Sequence, residues 1–310
     1  MSHDASNNAR LDESLQRLAW LFRGPIAAQR LGGLTNLNYL VEGATGRFVV
    51  RIPGDGTAEY INRAHESVAA RLAADVGVNV EVVFFDGADG LMVTRFADDS
   101  VTMSPARFAG LDAVARAAQV LRKLHSANET FATDFALFPM IEEYKSLLDA
   151  KSATLPNGYE AVESAAHAAQ VALEAYPAAF VPSHCDPLCE NFLDTGERMF
   201  LIDYEYAANN DPMWDLGDLS VEGGFSAEQD DVLLRTYFSS VGEVPAIDRA
   251  RIVLYKALCD LLWTLWAVVQ HVNGNPVDDF WTYAVGRFDR CRSLMASVEF
   301  ANAVEIVRKG

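Results

Sequence analysis

The chain has 310 residues, 50% of them hydrophobic, and a formal net charge of −18, a length that suits one large two-lobed unit or two domains. So acidic a composition speaks against a nucleic-acid partner, since such binding rests on basic patches, and without an uninterrupted apolar run of roughly 20 residues no membrane partner or spanning helix is expected. The polar opening MSHDASNNAR has no secretory core and Cys185, Cys189, Cys259 and Cys291 form no CxxC pair, so a cytoplasmic protein with reduced thiols is expected, as monomer or homodimer.

Residues 11–22, LDESLQRLAWLF, have the apolar spacing of an amphipathic helix. Alternating residues around Gly32-Gly33 and Gly46 predict paired strands, with GGLTNLNY as the turn between the first two. Gly32, Gly33, Thr35 and Asn36 in that turn form a candidate nucleotide-phosphate loop, because glycine lets backbone N–H groups approach an anion. RFVVRIPG puts Arg51 on a strand, where its guanidinium either grips phosphates in bidentate fashion or faces solvent. Residues 61–78 read as a helix carrying Glu66 and ending near Gly77. Strands at 80–85 and 91–96 flank a Gly-Ala-Asp-Gly turn, with a lobe boundary near Ala97 giving domains 1–97 and 98–310. Beyond it, 105–125, 140–150 and 158–175 show helical periodicity.

The next stretch carries the chemistry. SHCDPLCENF followed by MFLIDYEYA spaces His184, Asp186, Asn191 and Asp203 as an H-x-D-x-x-x-x-N loop and an apolar strand ending on an acid. That spacing is a phosphotransfer signature, in which one carboxylate orients the attacking hydroxyl while an Asn and a second Asp hold magnesium on the nucleotide phosphates. Asp186 is the candidate base, and Asn191 and Asp203 are the candidate Mg²⁺ ligands. Two short strands joined by the Asp-Thr-Gly-Glu turn at 194–197 would bring Asn191 back beside Asp203. Hard oxygen donors from two segments suit Mg²⁺. Further on, Asp215 near a helix start can accept backbone N–H bonds.

With its continuation IDYEYAANNDPMWDLGDLSVEGG, this stretch resembles the choline/ethanolamine kinase family, of the aminoglycoside phosphotransferases and the protein-kinase-like fold. The resemblance implies an α+β, bilobal protein-kinase-like fold with a small β-rich N-lobe and a larger, mainly helical C-lobe. It further implies ATP and Mg²⁺ as cofactors, Arg51 as the phosphate-binding cation, Glu66 as its carboxylate partner, and Glu205 near a second magnesium or its waters. By the same resemblance Thr94, Arg95 and Phe96 border adenine at a hinge, His125 is structural, and Asp215 braces the catalytic loop. Asp218 stands where many relatives carry Asn.

Trp263 and Trp266 share one helical face and Tyr283 lies on the next helix. Such rings, joined by an acid such as Glu222, enclose a cation or simply pack a core. The resemblance implies the former, with Trp263, Trp266, Tyr283 and Tyr206 as walls and Glu222 beside the ammonium of a small cationic alcohol. The expected activity is ATP-dependent phosphorylation of choline. A kinase for ethanolamine, thiamine or an aminoglycoside, or a non-catalytic cation-binding protein, remains an alternative.

Overall fold

The computed structural model describes residues 3–33, 36–54, 61–239 and 242–310. Its chain groups into two compact units, Met1–Thr102 with Asn191–Ala207, and Met103–Glu190 with Ala208–Gly310. The hairpin bearing Asn191 and Asp203 thus belongs with the N-terminal strands.

In the first unit, β1 (Ala27–Arg30), β2 (Leu37–Gly43), β3 (Gly46–Ile52), β4 (Val82–Phe85) and β5 (Met92–Arg95) form an antiparallel sheet in the order β1-β2-β3-β5-β4. The register sets Tyr39 opposite Val50 and Val41 opposite Phe48. Strand alternation sends these residues, with Ile52 and Val93, to one face. There they meet Leu11, Leu18 and Phe22 in the core. The same alternation turns Arg51 to the opposite face.

The N-terminal helix α1 (His3–Arg17) starts earlier and stops sooner than its apolar pattern predicts. Past Arg17 the chain tightens into turns, with Leu21 N–H bonding Leu18 O at 2.9 Å, and this sets Phe22 edge-on to Phe48, centroids 5.5 Å apart. Helix α2 (Arg63–Asp75) is capped by Asn62, whose side chain accepts from the N–H groups of Ala64 and His65. A second sheet joins β6 (Val101–Thr102) to the hairpin of β8 (Phe192–Asp194) and β9 (Met199–Leu201), in the order β6-β8-β9.

The second unit is mainly helical: α3 (Leu111–His125), α4 (Leu137–Ala150), α5 (Tyr159–Ala175), α6 (Pro212–Gly223), α7 (Ala227–Tyr237), α8 (Ala246–Val272), α9 (Phe280–Met295) and α10 (Val298–Lys309). Helix α3 begins at Leu111 and not near Pro105, because Gly110 is extended after a single 3-10 turn that buries Phe108. A two-stranded ribbon pairs β7 (Val181–Ser183) with β10 (Ala208–Asn210). At α6, Asp211 caps the start and Pro212 occupies the first turn. Gly217 lets α6 close onto α8, since a Cβ there would lie 2.9 Å from the Cβ of Tyr255. Helix α8 is long and apolar enough to cross a membrane by length and composition, but 83% of its most apolar window is buried within the protein. That burial is the signature of a central core helix.

Candidate active site

In the second unit, the H-x-D loop hangs from one buried carboxylate. Asp215, at 0% exposure, accepts the backbone N–H of His184 on Oδ2 at 2.7 Å and that of Cys185 on Oδ1 at 2.9 Å. Its Oδ2 also meets His125 Nε2 at 2.9 Å, and His125 Nδ1 meets the Tyr237 hydroxyl at 2.9 Å. Burial works against the Asp215 charge, but His125 and the backbone donor hold its carboxyl below the ordinary value. Trp214 Nε1 donates to Cys185 O at 3.1 Å. These bonds hold Cys185 in the left-handed region, φ 69°, which a non-glycine residue adopts only when its surroundings over-determine it. The loop then turns back, the Asp186 N–H bonding His184 Nδ1 at 3.3 Å, and leaves Asp186 half-buried.

The first unit gathers a compact charge cluster. Arg51, on β3, pairs with Glu66 of α2 and reaches Asp203 at 3.3 Å and Glu205 at 3.5 Å. Arg63, which sequence reasoning missed, donates to Glu66 Oε2 at 2.7 Å and Glu205 Oε1 at 2.6 Å. Its spacing three residues before Glu66 in a helix was the available signal. Asn36 joins the same acid, its Nδ2 lying 2.8 Å from Glu205 Oε1, while its Oδ1 accepts the Gly54 N–H at 3.2 Å. Asn191 O accepts the Ile202 N–H at 2.9 Å, which returns the hairpin to the strand before Asp203.

Asp203 is left-handed, φ 70°, and its side chain keeps 36% exposure while Arg51, Glu66, Arg63 and Glu205 are nearly closed off. Burial, then the charge of Glu205, raise the Asp203 carboxyl above the usual range, with Arg51 opposing. Glu66, Asp203 and Glu205 bring ligand oxygens within 4.8 Å of one another; with both Glu66 oxygens engaged by Arg51 and Arg63, Asp203 and Glu205 are the members whose hard oxygens suit a magnesium ion.

Gly32 O accepts from Asn38 Nδ2 at 2.9 Å. At Gly33, φ 151°, an added Cβ would lie 2.8 Å from Asn36 O, so the turn is closed to side chains there. Thr35 lies outside the described residues. Thr94 is buried in β5 opposite Val49. Arg95 turns to Glu81 at 3.0 Å and over the Phe48 ring, and Arg47 covers Phe96 at 4.3 Å.

The aromatic cluster forms in the second unit from α8 and α9. Trp263 and Trp266 stand edge to face, centroids 6.3 Å apart, and Trp266 meets Phe280 at 5.5 Å and Tyr283 at 6.5 Å. Tyr206 belongs to the first unit. Glu222 on α6 is ion-paired to Arg287 at 2.5 Å, and the same guanidinium lies over the Tyr283 ring, 4.8 Å from its centroid. Arg287 was also missed, although its position four residues after Tyr283 places both on one face of α9. Asp260 of α8 anchors Arg287 at 3.2 Å and takes Arg290 through both oxygens at 2.6 and 2.7 Å. The four cysteines are buried and unbridged.

Residues 27–255 match the phosphotransferase enzyme family. The structure resembles a choline/ethanolamine kinase family protein from Mesorhizobium loti, at 50% identity over 97% of this chain and 100% of that one, with a TM-score of 0.87. Choline kinase LicA from Streptococcus pneumoniae is 30% identical over 91% of this chain and 96% of its own, with a TM-score of 0.77. A LicA structure in complex with AMP is 29% identical over 91% of this chain and 96% of its own, with a TM-score of 0.75.

Proposed function

The chain belongs to the phosphotransferase enzyme family, within its choline/ethanolamine kinases, and from that membership we propose that it transfers the γ-phosphoryl group of ATP to the hydroxyl of choline. The observation that supports this reading lies in the second unit, where the charge of the loop acid acts on a ring of the aromatic cluster. Burial, chiefly, keeps the Tyr283 hydroxyl protonated, and the Asp186 charge adds to that effect. A cation seated against these rings would therefore present its alcohol within the field of Asp186.

In this reading Asp186 orients the hydroxyl and accepts its proton as the phosphoryl group transfers. Because the loop hangs from Asp215 through fixed backbone bonds, little reorganisation is needed for attack. Arg51 binds phosphate oxygens, with Glu66 holding its guanidinium in place. A magnesium ion held by Asn191 and Asp203, with Glu205 at hand, would neutralise phosphate charge. The backbone of Gly32, Gly33, Thr35 and Asn36 is assigned to the nucleotide phosphates, and Thr94, Arg95 and Phe96 to the base. Trp263, Trp266 and Tyr283 are assigned to the cation, whose diffuse charge suits π faces.

Ethanolamine is the second reading, favoured by one observation: buried Asp218 keeps an oxygen, Oδ2, without a hydrogen-bond partner among the described residues. A compact ammonium seeks such acceptors. ADP release measured with choline, ethanolamine, thiamine and an aminoglycoside separates the readings. Turnover with choline well above the others is expected; turnover with none would leave a non-catalytic binding protein.

A further inference from the structure

The acids around the aromatic cluster are already engaged by the protein's own cations. Glu222 is paired with Arg287, and Asp260 is shared by Arg287 and Arg290. Arg287 is nearly closed to solvent, held by two carboxylates and stacked on Tyr283, so a ligand would displace it only by breaking two buried ion pairs. Setting aside the half-buried loop acid Asp186, the acid without a paired cation among the described residues is Asp218, one turn before Glu222 on α6, at 0% exposure. Its Oδ1 accepts from Cys259 Sγ at 2.8 Å and its Oδ2 has no partner among the described residues. Asp218, Glu222 and Cys259 bring their ligand atoms within 4.8 Å of one another. With Asp218 ionised, Asp218, Glu222, Asp260, Arg287 and Arg290 together carry one unbalanced negative charge; with Asp218 protonated they are neutral.

We propose that Asp218 is the charge-balancing acid of the cluster, protonated while the cluster is free and deprotonated when a cationic alcohol binds, the proton passing to solvent. The inference rests on the cationic-alcohol reading and deepens it, moving the balancing charge from Glu222 to Asp218. Ionising a buried carboxylate with an orphaned oxygen is unfavourable, so the protonated state is preferred until a cation arrives.

The groups facing Asp218 agree with that order. Glu222 and Asp215 on its own helix and the Cys259 thiol on α8 surround it, with Arg287 of α9 as the opposing cation. Cys185 and Cys189 approach from the catalytic loop. Burial first, and Glu222 second, raise the Asp218 carboxyl well above the usual range, against Cys259 and Arg287. Burial likewise raises the thiols of Cys185 and Cys259, and that of Cys189 to about 12, so none of them supplies the proton near neutral pH. The sign follows: a bound cation favours ionised Asp218, so choline affinity rises with pH, by up to about tenfold per unit, until free Asp218 is itself ionised.

Calorimetric titration of the intact protein with choline alone, in two buffers of different ionisation enthalpy, tests this. Wild type is expected to release up to one proton per choline bound, whereas Asp218→Asn, which keeps the shape but cannot ionise, is expected to bind choline more weakly, with an affinity that no longer rises with pH, and to release none. Because that variant can fail to fold, infrared difference spectra of wild type give an independent reading: a protonated-carboxyl carbonyl band should disappear when choline is added. Choline binding without proton release, equal release by Asp218→Asn, or persistence of the band overturns the proposal alone. Absence of any choline binding by wild type overturns the substrate reading and this inference together.

Discussion

Arg63 Nη1 lies 2.6 Å from Glu205 Oε1, and both side chains are nearly closed to solvent. This contact ties the first residue of α2 to the acid two positions beyond Asp203. Arg63 also holds Glu66, so its removal leaves two buried acids sharing Arg51 as their one cation among the described residues, with Asn36 still on Glu205. Breaking a buried pair from one side costs about 3–5 kcal/mol. Arg63→Gln is expected to destabilise the protein by about 3 kcal/mol in urea unfolding. Unchanged stability would mean that Arg63 contributes nothing net to the cluster.

Asp186→Asn keeps the loop's backbone bonds to Asp215 but removes the proposed proton acceptor. Its kcat should fall by at least about 10²-fold, with nucleotide affinity nearly unchanged. Wild-type turnover in this variant would remove Asp186 from the mechanism.

Asp203→Ala acts on the other half of the chemistry. Loss of the partly buried Asp203 carboxylate, assigned with Asn191 to magnesium, should abolish the magnesium-dependent part of nucleotide binding. Calorimetry with nucleotide, with and without magnesium, reads the difference; an unaltered magnesium effect would refute the ligand assignment.

Trp266 meets three rings, Trp263, Phe280 and Tyr283. A cation–π contact contributes about 0.5–2 kcal/mol, so Trp266→Ala should raise the choline KM by roughly 2- to 30-fold with kcat little changed, the loss being felt equally in ground and transition states. It should also narrow a choline-over-ethanolamine preference expected at about 10²-fold. An unchanged KM would leave these rings as core packing alone.

Asp215 yields a prediction about pH. Its carboxyl is held below the ordinary 3.8 in the folded protein, so the stability it contributes is present above 3.8 and is lost as pH falls through the folded value. Hydrogen bonds to a charged group contribute about 1.5–3 kcal/mol each, so Asp215→Asn should cost at least about 3 kcal/mol at neutral pH. The two stability curves should converge as pH drops below 3.8. A constant gap through acid pH would show that the charge is not what holds the loop.

The sequence alone determined the fold class and the family, because both are written in short-range patterns. Alternation marked the strands, periodicity marked the helices, and the spacing from His184 to Asp203 marked the phosphotransfer chemistry. Helix ends were less legible, since Gly110 and the turn after Arg17 follow from which side chains the core accepts. What only the tertiary structure decided is how the charges are shared. Arg63 meets Glu205 across 142 positions of chain, and Arg287 engages Glu222 and the Tyr283 face together. Charge pairing depends on distance and burial, and no local pattern encodes either for residues so far apart in sequence. The left-handed backbone at Cys185 and Asp203 is decided in the same way, because an L-residue stays in that region only when contacts from elsewhere in the fold hold it there.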